Sequence, residues 1–203
     1  MKILLVGATG TLGRAVHSLL GPRHEIVAAS RSGAAGPKVD LTDPASIAAL
    51  YAEVGRVDAV MCAAGGVPFR PVGELTYDDL MAGARDKMLG QVELVRRGVE
   101  AEAVADGGSF TLITGILSHE PISAGAVAAM ANGAVDAFVR AAATELPRGQ
   151  RINAVSPTML TESLSKYDAS FPGFEPVPAE LAAKAYRKSA EGIQTGRTYR
   201  VGW

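Results

Sequence analysis

A chain of 203 residues, 48% hydrophobic and 20% charged, is long enough for one domain with a substantial core and short for two. Its 20 basic and 21 acidic residues leave a net charge of -1 with no long run of either sign, which argues against a nucleic-acid or anionic-membrane surface and favours a small-molecule ligand. No apolar run approaches the roughly 18 residues of a membrane span, and the first one is broken at Gly7, so the sequence predicts a cytoplasmic protein with neither leader nor anchor. The single Cys62 excludes an internal disulfide and a cysteine metal cluster, and no metal site is expected.

The chain opens with an aliphatic strand, Ile3 to Val6, followed by Gly7-Ala8-Thr9-Gly10-Thr11-Leu12-Gly13 and an amphipathic helix from Leu12 to Leu20. This strand, glycine turn and helix make a dinucleotide cradle. Gly7 permits the tight turn, Gly10 lets backbone approach a pyrophosphate, and Gly13 lets helix and strand pack closely. The helix N-terminus offers free N–H groups to phosphate, which makes Thr9, Thr11 and Leu12 cofactor contacts as well.

Strand and helix patterns then alternate: Glu25 to Ala29, a helix from Pro44 to Val54, a strand from Ala59 to Cys62, and a helix from about Thr76 to Glu102. A strand at Ser109 to Thr114, a helix from about Gly125 to Leu146, a strand at Arg151 to Val155, a helix at Ala179 to Lys188 and a strand at Thr198 to Val201 complete the series. The alternation predicts an α/β fold, a Rossmann-type doubly wound parallel sheet flanked by helices, in one domain. Only Ser32 to Val39 separate Arg31 from Asp40, too few for a helix and a full strand, so the second crossover is shortened to a loop. The segment Pro172 to Pro178, preceded by Tyr167 and Phe171, reads either as a lid over a ligand or as an ordinary connection.

In motif content and order the chain resembles the short-chain dehydrogenase/reductases over nearly its whole length. The resemblance rests on the glycine turn, Asp40-Leu41, Cys62-Ala63-Ala64-Gly65 and Arg151-Ile152-Asn153-Ala154-Val155-Ser156-Pro157. It implies that Asp40 and Leu41 contact adenine, that Ala63, Ala64 and Gly65 line the cofactor, and that Pro157, Thr158 and Thr161 lie beside the nicotinamide. Ser30-Arg31-Ser32 occupies the position that reads the adenosine ribose. No acid is there, and a serine with an arginine suits a 2′-phosphate, so NADP(H) is expected over NAD(H), with a solvated Arg31 as the alternative.

The family's serine, tyrosine and lysine fall on Gly115, Ala128 and Asn132, and its helix asparagine falls on Lys87. Lysine and asparagine are exchanged, and the tyrosine is lost. A tyrosine normally titrates near ~10 and works only when a neighbouring cation lowers it, whereas alanine transfers no proton. The sequence therefore resembles a subgroup that keeps the cofactor motif without the usual catalytic residues. Replacement chemistry is expected from Lys87 and Asn132, with Thr114, Ser118 and His119 of the following loop holding a substrate oxygen. A lone loop histidine is also commonly just solvated. Two functions stay open: an NADP(H)-dependent oxidoreductase of a small carbonyl or alcohol, and an NADP(H)-binding sensor or partner protein without turnover. The long helices, with Val127, Met130, Val135, Phe138 and Val139 on more than one face of the second, suggest a homodimer or homotetramer.

Overall fold

Six aliphatic segments form one parallel sheet in the computed structural model of the chain, which describes residues 1–167 and 170–203, with backbone alone at 166 and 167. They are β1 (Lys2–Val6), β2 (Glu25–Ala29), β3 (Val57–Cys62), β4 (Val104–Ile113), β5 (Arg151–Pro157) and β6 (Thr198–Val201). Their order is β2-β1-β3-β4-β5-β6. The central strands β1, β3 and β5 are buried along almost their whole length. Strands covered on both faces need apolar residues at every position, which is why they read as continuous runs rather than alternations.

The helices are α1 (Thr11–Leu20), α2 (Pro44–Val54), α3 (Tyr77–Gly83), α4 (Gly90–Glu100), α5 (Ala126–Ala142), the short α6 (Leu164–Tyr167) and α7 (Ala179–Glu191). α1 and α7 pack together on one face of the sheet, and α2, α4 and α5 cover the other. Local chemistry sets their starts: Asp43 caps α2 by accepting from Ala45 N–H ahead of Pro44, and Thr76 and Asp79 form a reciprocal capping box on α3. Two buried phenols tie elements together, one between helix and sheet and one between neighbouring helices. Tyr186 of α7 donates to the Cys62 carbonyl at 2.6 Å, and Tyr51 of α2 donates to the Leu94 carbonyl of α4 at 2.7 Å. Burial drives both above the usual phenol range, so both remain neutral donors. No helix of the described residues is long and apolar enough to cross a membrane.

The shortened crossover is reduced to a single parallel bridge, Ser30 to Lys38, after which Val39 turns back towards α2. Three elements differ from their sequence reading. β4 begins at Val104, because the chain carries the strand through Asp106-Gly107-Gly108, with a register shift against β3 between Val57 and Ala59, instead of turning there. α5 stops at Ala142. The long helix expected over 76–102 is α3 and α4 joined by a π-helical turn, Ala84–Leu89. The apolar surplus on α5 is also smaller than its sequence suggests: Val127, Val135 and Val139 are buried within the monomer, leaving Met130 exposed and Phe138 partly so.

The proline-rich segment folds against the end of β5. Phe171 is buried and meets Phe174 edge-on with ring centroids 5.4 Å apart, and Val177 exchanges backbone bonds with Met159 and Thr161. The side chain of Tyr167 lies outside the described residues.

Tyr186→Phe removes one buried donor and its bond to the Cys62 carbonyl at the C-terminal end of β3. It is expected to cost about 1–2 kcal/mol in urea unfolding, with an unchanged m-value.

Candidate cofactor and active site

The glycine turn is built for close approach. Gly7 sits at φ +85°, and a Cβ on Gly13 would stand 2.0 Å from the Gly7 carbonyl oxygen, so the first turn of α1 presses directly on the end of β1. Gly10 is the N-cap of α1 and no side chain caps the helix. Its first-turn N–H groups therefore face the groove, where the helix dipole favours an anion. A cavity of 240 Å³ opens there, lined by Gly7, Thr9, Gly10, Ser30, Arg31, Val39, Leu41, Ala63 and Ala64 among others. These residues fit a dinucleotide: open backbone donors for the pyrophosphate, an apolar wall for a base, and polar groups at the ribose edge.

Thr11 and Leu12 enter this site through their backbone, and Leu12 has its side chain buried in the core. Asp40 does not reach the cavity with its carboxylate. It accepts from the Thr42 N–H at 2.9 Å and the Thr42 hydroxyl at 2.8 Å, which hold it below the usual carboxylate range, while the neighbouring Val39 and Leu41 supply the wall. Val39 escaped the sequence reading because a lone valine in a polar loop carries no motif. Ser32 bonds locally, its hydroxyl 3.4 Å from that of Ser30.

Lys87 lies in the π turn. The buried amide of Gln91 explains the position: it donates to the Lys87 carbonyl at 2.7 Å and the Ile113 carbonyl at 2.9 Å, and accepts from the Ile113 N–H at 2.8 Å. Gln91 thereby joins the Lys87 carbonyl in the π turn to the end of β4. The Lys87 stem packs on Gly65, where a Cβ would come within 2.9 Å of Lys87 Cδ; Gly65, at φ +130°, belongs to the same loop as Ala63 and Ala64. Desolvation lowers the Lys87 ammonium to about 8, against the opposing pull of Cys62, Asp86 and Asp136. The same burial pushes the Cys62 thiol up to about 11, so it stays a protonated, unreactive side chain.

Lys87 opens into a second cavity of 170 Å³ together with Thr114, Gly115, Asn132, Pro157 and Thr158, and with the apolar side chains of Phe69, Ile116, Leu117, Ala128, Met159 and Phe171. Asn132 Nδ2 reaches the Gly115 carbonyl at 3.4 Å, leaving Asn132 Oδ1 buried without a partner, as is Thr158 Oγ1. Orphan acceptors beside a cation suit a hydroxylated ligand, because each buried group otherwise costs about 1–3 kcal/mol. Ala128 belongs to an apolar cluster with Ile116, Leu117, Met159 and Phe171.

Ser118 and His119 stand apart from this cavity. Ser118 donates to Asp136 Oδ2 at 3.2 Å, and His119 lies 4.0 Å from the same oxygen and stacks on Trp203 with ring centroids 4.9 Å apart. The short helical turn Ile116–Ser118 points Ile116 and Leu117 inward and these polar neighbours away. Asp136, buried and also accepting from Thr198 at 2.9 Å, organises the corner and was not singled out from sequence. An acid on the apolar stripe of α5 was the available signal. Thr161 is exposed at the start of a helical turn, away from both cavities.

The chain belongs to the short-chain dehydrogenase/reductase family: a family model described as enoyl-(acyl carrier protein) reductase matches residues 18–192. The protein lin1944 from Listeria innocua is 48% identical, with a TM-score of 0.96 over 99% of each chain. A small-chain dehydrogenase in complex with NADPH is 23% identical, with a TM-score of 0.87 over 99% of this chain and 96% of that one. A short chain dehydrogenase from Mycobacterium smegmatis is 20% identical, with a TM-score of 0.87 over 100% of this chain and 91% of that one. No protein of curated function matches the sequence.

Replacing Gln91 by leucine removes three hydrogen bonds at once and leaves the Ile113 N–H buried and unpaired. The expected cost is about 2–4 kcal/mol by chemical denaturation, with Lys87 released from its place.

Proposed function

We propose that this member of the family is an NADP(H)-dependent oxidoreductase that interconverts a small carbonyl and its alcohol, with Lys87 in the role that the family's tyrosine otherwise fills. The observation that carries the reading is the convergence of the Lys87 ammonium and the orphan Asn132 oxygen on a small, largely apolar cavity next to the glycine cradle. The cofactor, when bound, supplies or receives hydride at this end of the groove. Lys87 places positive charge where the carbonyl oxygen gains electron density and passes it a proton from Nζ, becoming a neutral amine that water reprotonates. An amine held near about 8 makes both protonation states accessible at physiological pH. Asn132 Oδ1 and Thr158 Oγ1 accept from hydroxyl groups of the ribose or the product, and the apolar walls exclude water. At 170 Å³ the cavity suits a small substrate. Ser30 and Arg31 at the ribose edge support NADP(H) over NAD(H).

A second reading, a dinucleotide-binding protein without turnover, is favoured by one observation: the tyrosine's place is Ala128, filled in by apolar neighbours. Pairing of two copies through α4 and α5 is proposed on the exposed Leu89, which immediately precedes α4, and Met130 of α5. Light scattering at micromolar concentration tests it.

The test of the enzyme is NADPH binding by fluorescence, followed by NADPH oxidation with a panel of small aldehydes and ketones. Turnover supports the oxidoreductase; tight binding without turnover supports the second reading. In the reductive direction kcat/KM is expected to hold below pH 8 and fall about tenfold per pH unit above it, as Lys87 loses its proton. Lys87→Met is expected to lower kcat/KM at least ~100-fold. The folded protein binds fewer protons than the unfolded chain between about 8 and about 10.4, so this lysine's contribution to stability rises with pH across that window. Lys87→Met is accordingly expected to stabilise the fold at pH 7 by about 1–2 kcal/mol, a gain that fades above pH ~10.

A further inference from the structure

Arg31, at the rim of the glycine cradle, already has a partner. Its Nη2 lies 3.2 Å from Oδ2 of Asp86, which comes from the π turn on the opposite wall. The same Asp86 oxygen accepts the Gly66 N–H at 3.3 Å, just beyond Ala63 and Ala64 of the cradle. Its other oxygen, Oδ1, is buried with no partner. The acid missing after β2 is therefore supplied from across the groove by α3–α4, one residue before Lys87.

The two charges have opposite preferences. A guanidinium attracts a 2′-phosphate through charge-assisted bonds, whereas a carboxylate accepts from free ribose hydroxyls and repels the phosphate. Paired with each other, they leave the ribose edge with little net charge. Arg31 is mostly exposed, and exposed ion pairs are weak, so a doubly charged phosphate outcompetes the carboxylate for it. The Gly66 N–H bond is independent of Arg31 and anchors Asp86 when Arg31 leaves.

We propose that Asp86 is a specificity-determining residue at the adenosine ribose: it holds Arg31 until a 2′-phosphate takes the guanidinium over, and it thereby limits the preference for NADPH over NADH. The proposal rests on the dinucleotide reading above and deepens it. The pair spans the groove, so the exchange loosens one tie between the two walls as NADPH enters.

The test is direct titration of NADPH and NADH into the unmodified protein and into Asp86→Asn, which retains an oxygen for the Gly66 N–H. Asp86→Asn is expected to raise the ratio Kd(NADH)/Kd(NADPH) about three- to tenfold, the scale of a removed competing ion pair. In an Arg31→Ala background the same change is expected to have a smaller effect on NADPH. A structural disturbance would weaken both dinucleotides alike, and circular dichroism with thermal unfolding checks that the variant is folded. If the unmodified protein prefers NADPH and Asp86→Asn leaves the ratio unchanged or lowers it, the role of Asp86 is overturned while the cofactor reading stands. If the unmodified protein binds neither dinucleotide, both fall together.

Discussion

The side chain of Gln91 is the constraint on which the candidate site depends. Its amide joins the π turn to the end of β4 by bonds to Lys87 and Ile113, all within a buried environment. Because an amide carries both donor and acceptor, one side chain bonds the Lys87 carbonyl and both backbone groups of Ile113. A regular α-helix through Ala84–Leu89 would rotate the residues before the turn relative to those after it. The π turn instead presents two successive side chains to two different neighbours: Asp86 reaches Arg31 and Gly66, and Lys87 reaches the cavity of Asn132 and Thr114. On the proposed function, adenosine recognition and carbonyl chemistry would both be set by this one turn of helix.

The electrostatics follow from that placement. Lys87 keeps no hydrogen-bonded partner among the described residues, and burial works against its charge, so its proton is loosely held. A bound anion or a developing oxyanion would be the first group to compensate that ammonium fully, and such stabilisation acts where charge appears during reaction. Lys87 of the π turn and Asn132 of α5 line the same cavity from different elements. Space beside Asn132 is preserved by Gly115, where a Cβ would lie 3.2 Å from the Asn132 amide nitrogen.

Much of this organisation was legible in the sequence, because it depends on periodicity and on glycines at fixed spacing. The strands from Ile3 and Glu25 and the strand at Thr198 to Val201 lie where their aliphatic patterns put them, and the eight residues from Ser32 to Val39 correctly excluded a full extra crossover. The π turn was not legible, since a one-residue shift of hydrogen bonding leaves the apolar pattern of a long helix almost intact. Its cause, a glutamine on the buried face, is visible only once β4 is known to end beside it. The direction of Ser118 and His119 was equally hidden, because a three-residue turn exposes alternate sides of the chain and the buried Asp136 decides which side is polar. Asp40 was read by its place in a family motif, yet the nearby Thr42 claims its carboxylate.

The account's central claim is that Lys87 is an ammonium that gives up its proton near about pH 8 and faces the reactive end of a bound nicotinamide cofactor. Its most direct test is a side-chain NMR titration of the Lys87 amine, assigned by comparison with Lys87→Met, with and without NADPH. The account predicts a titration near about 8 in the free protein, displaced when NADPH binds. A Lys87 that titrates near the ordinary ~10.4 and does not respond to NADPH would contradict it.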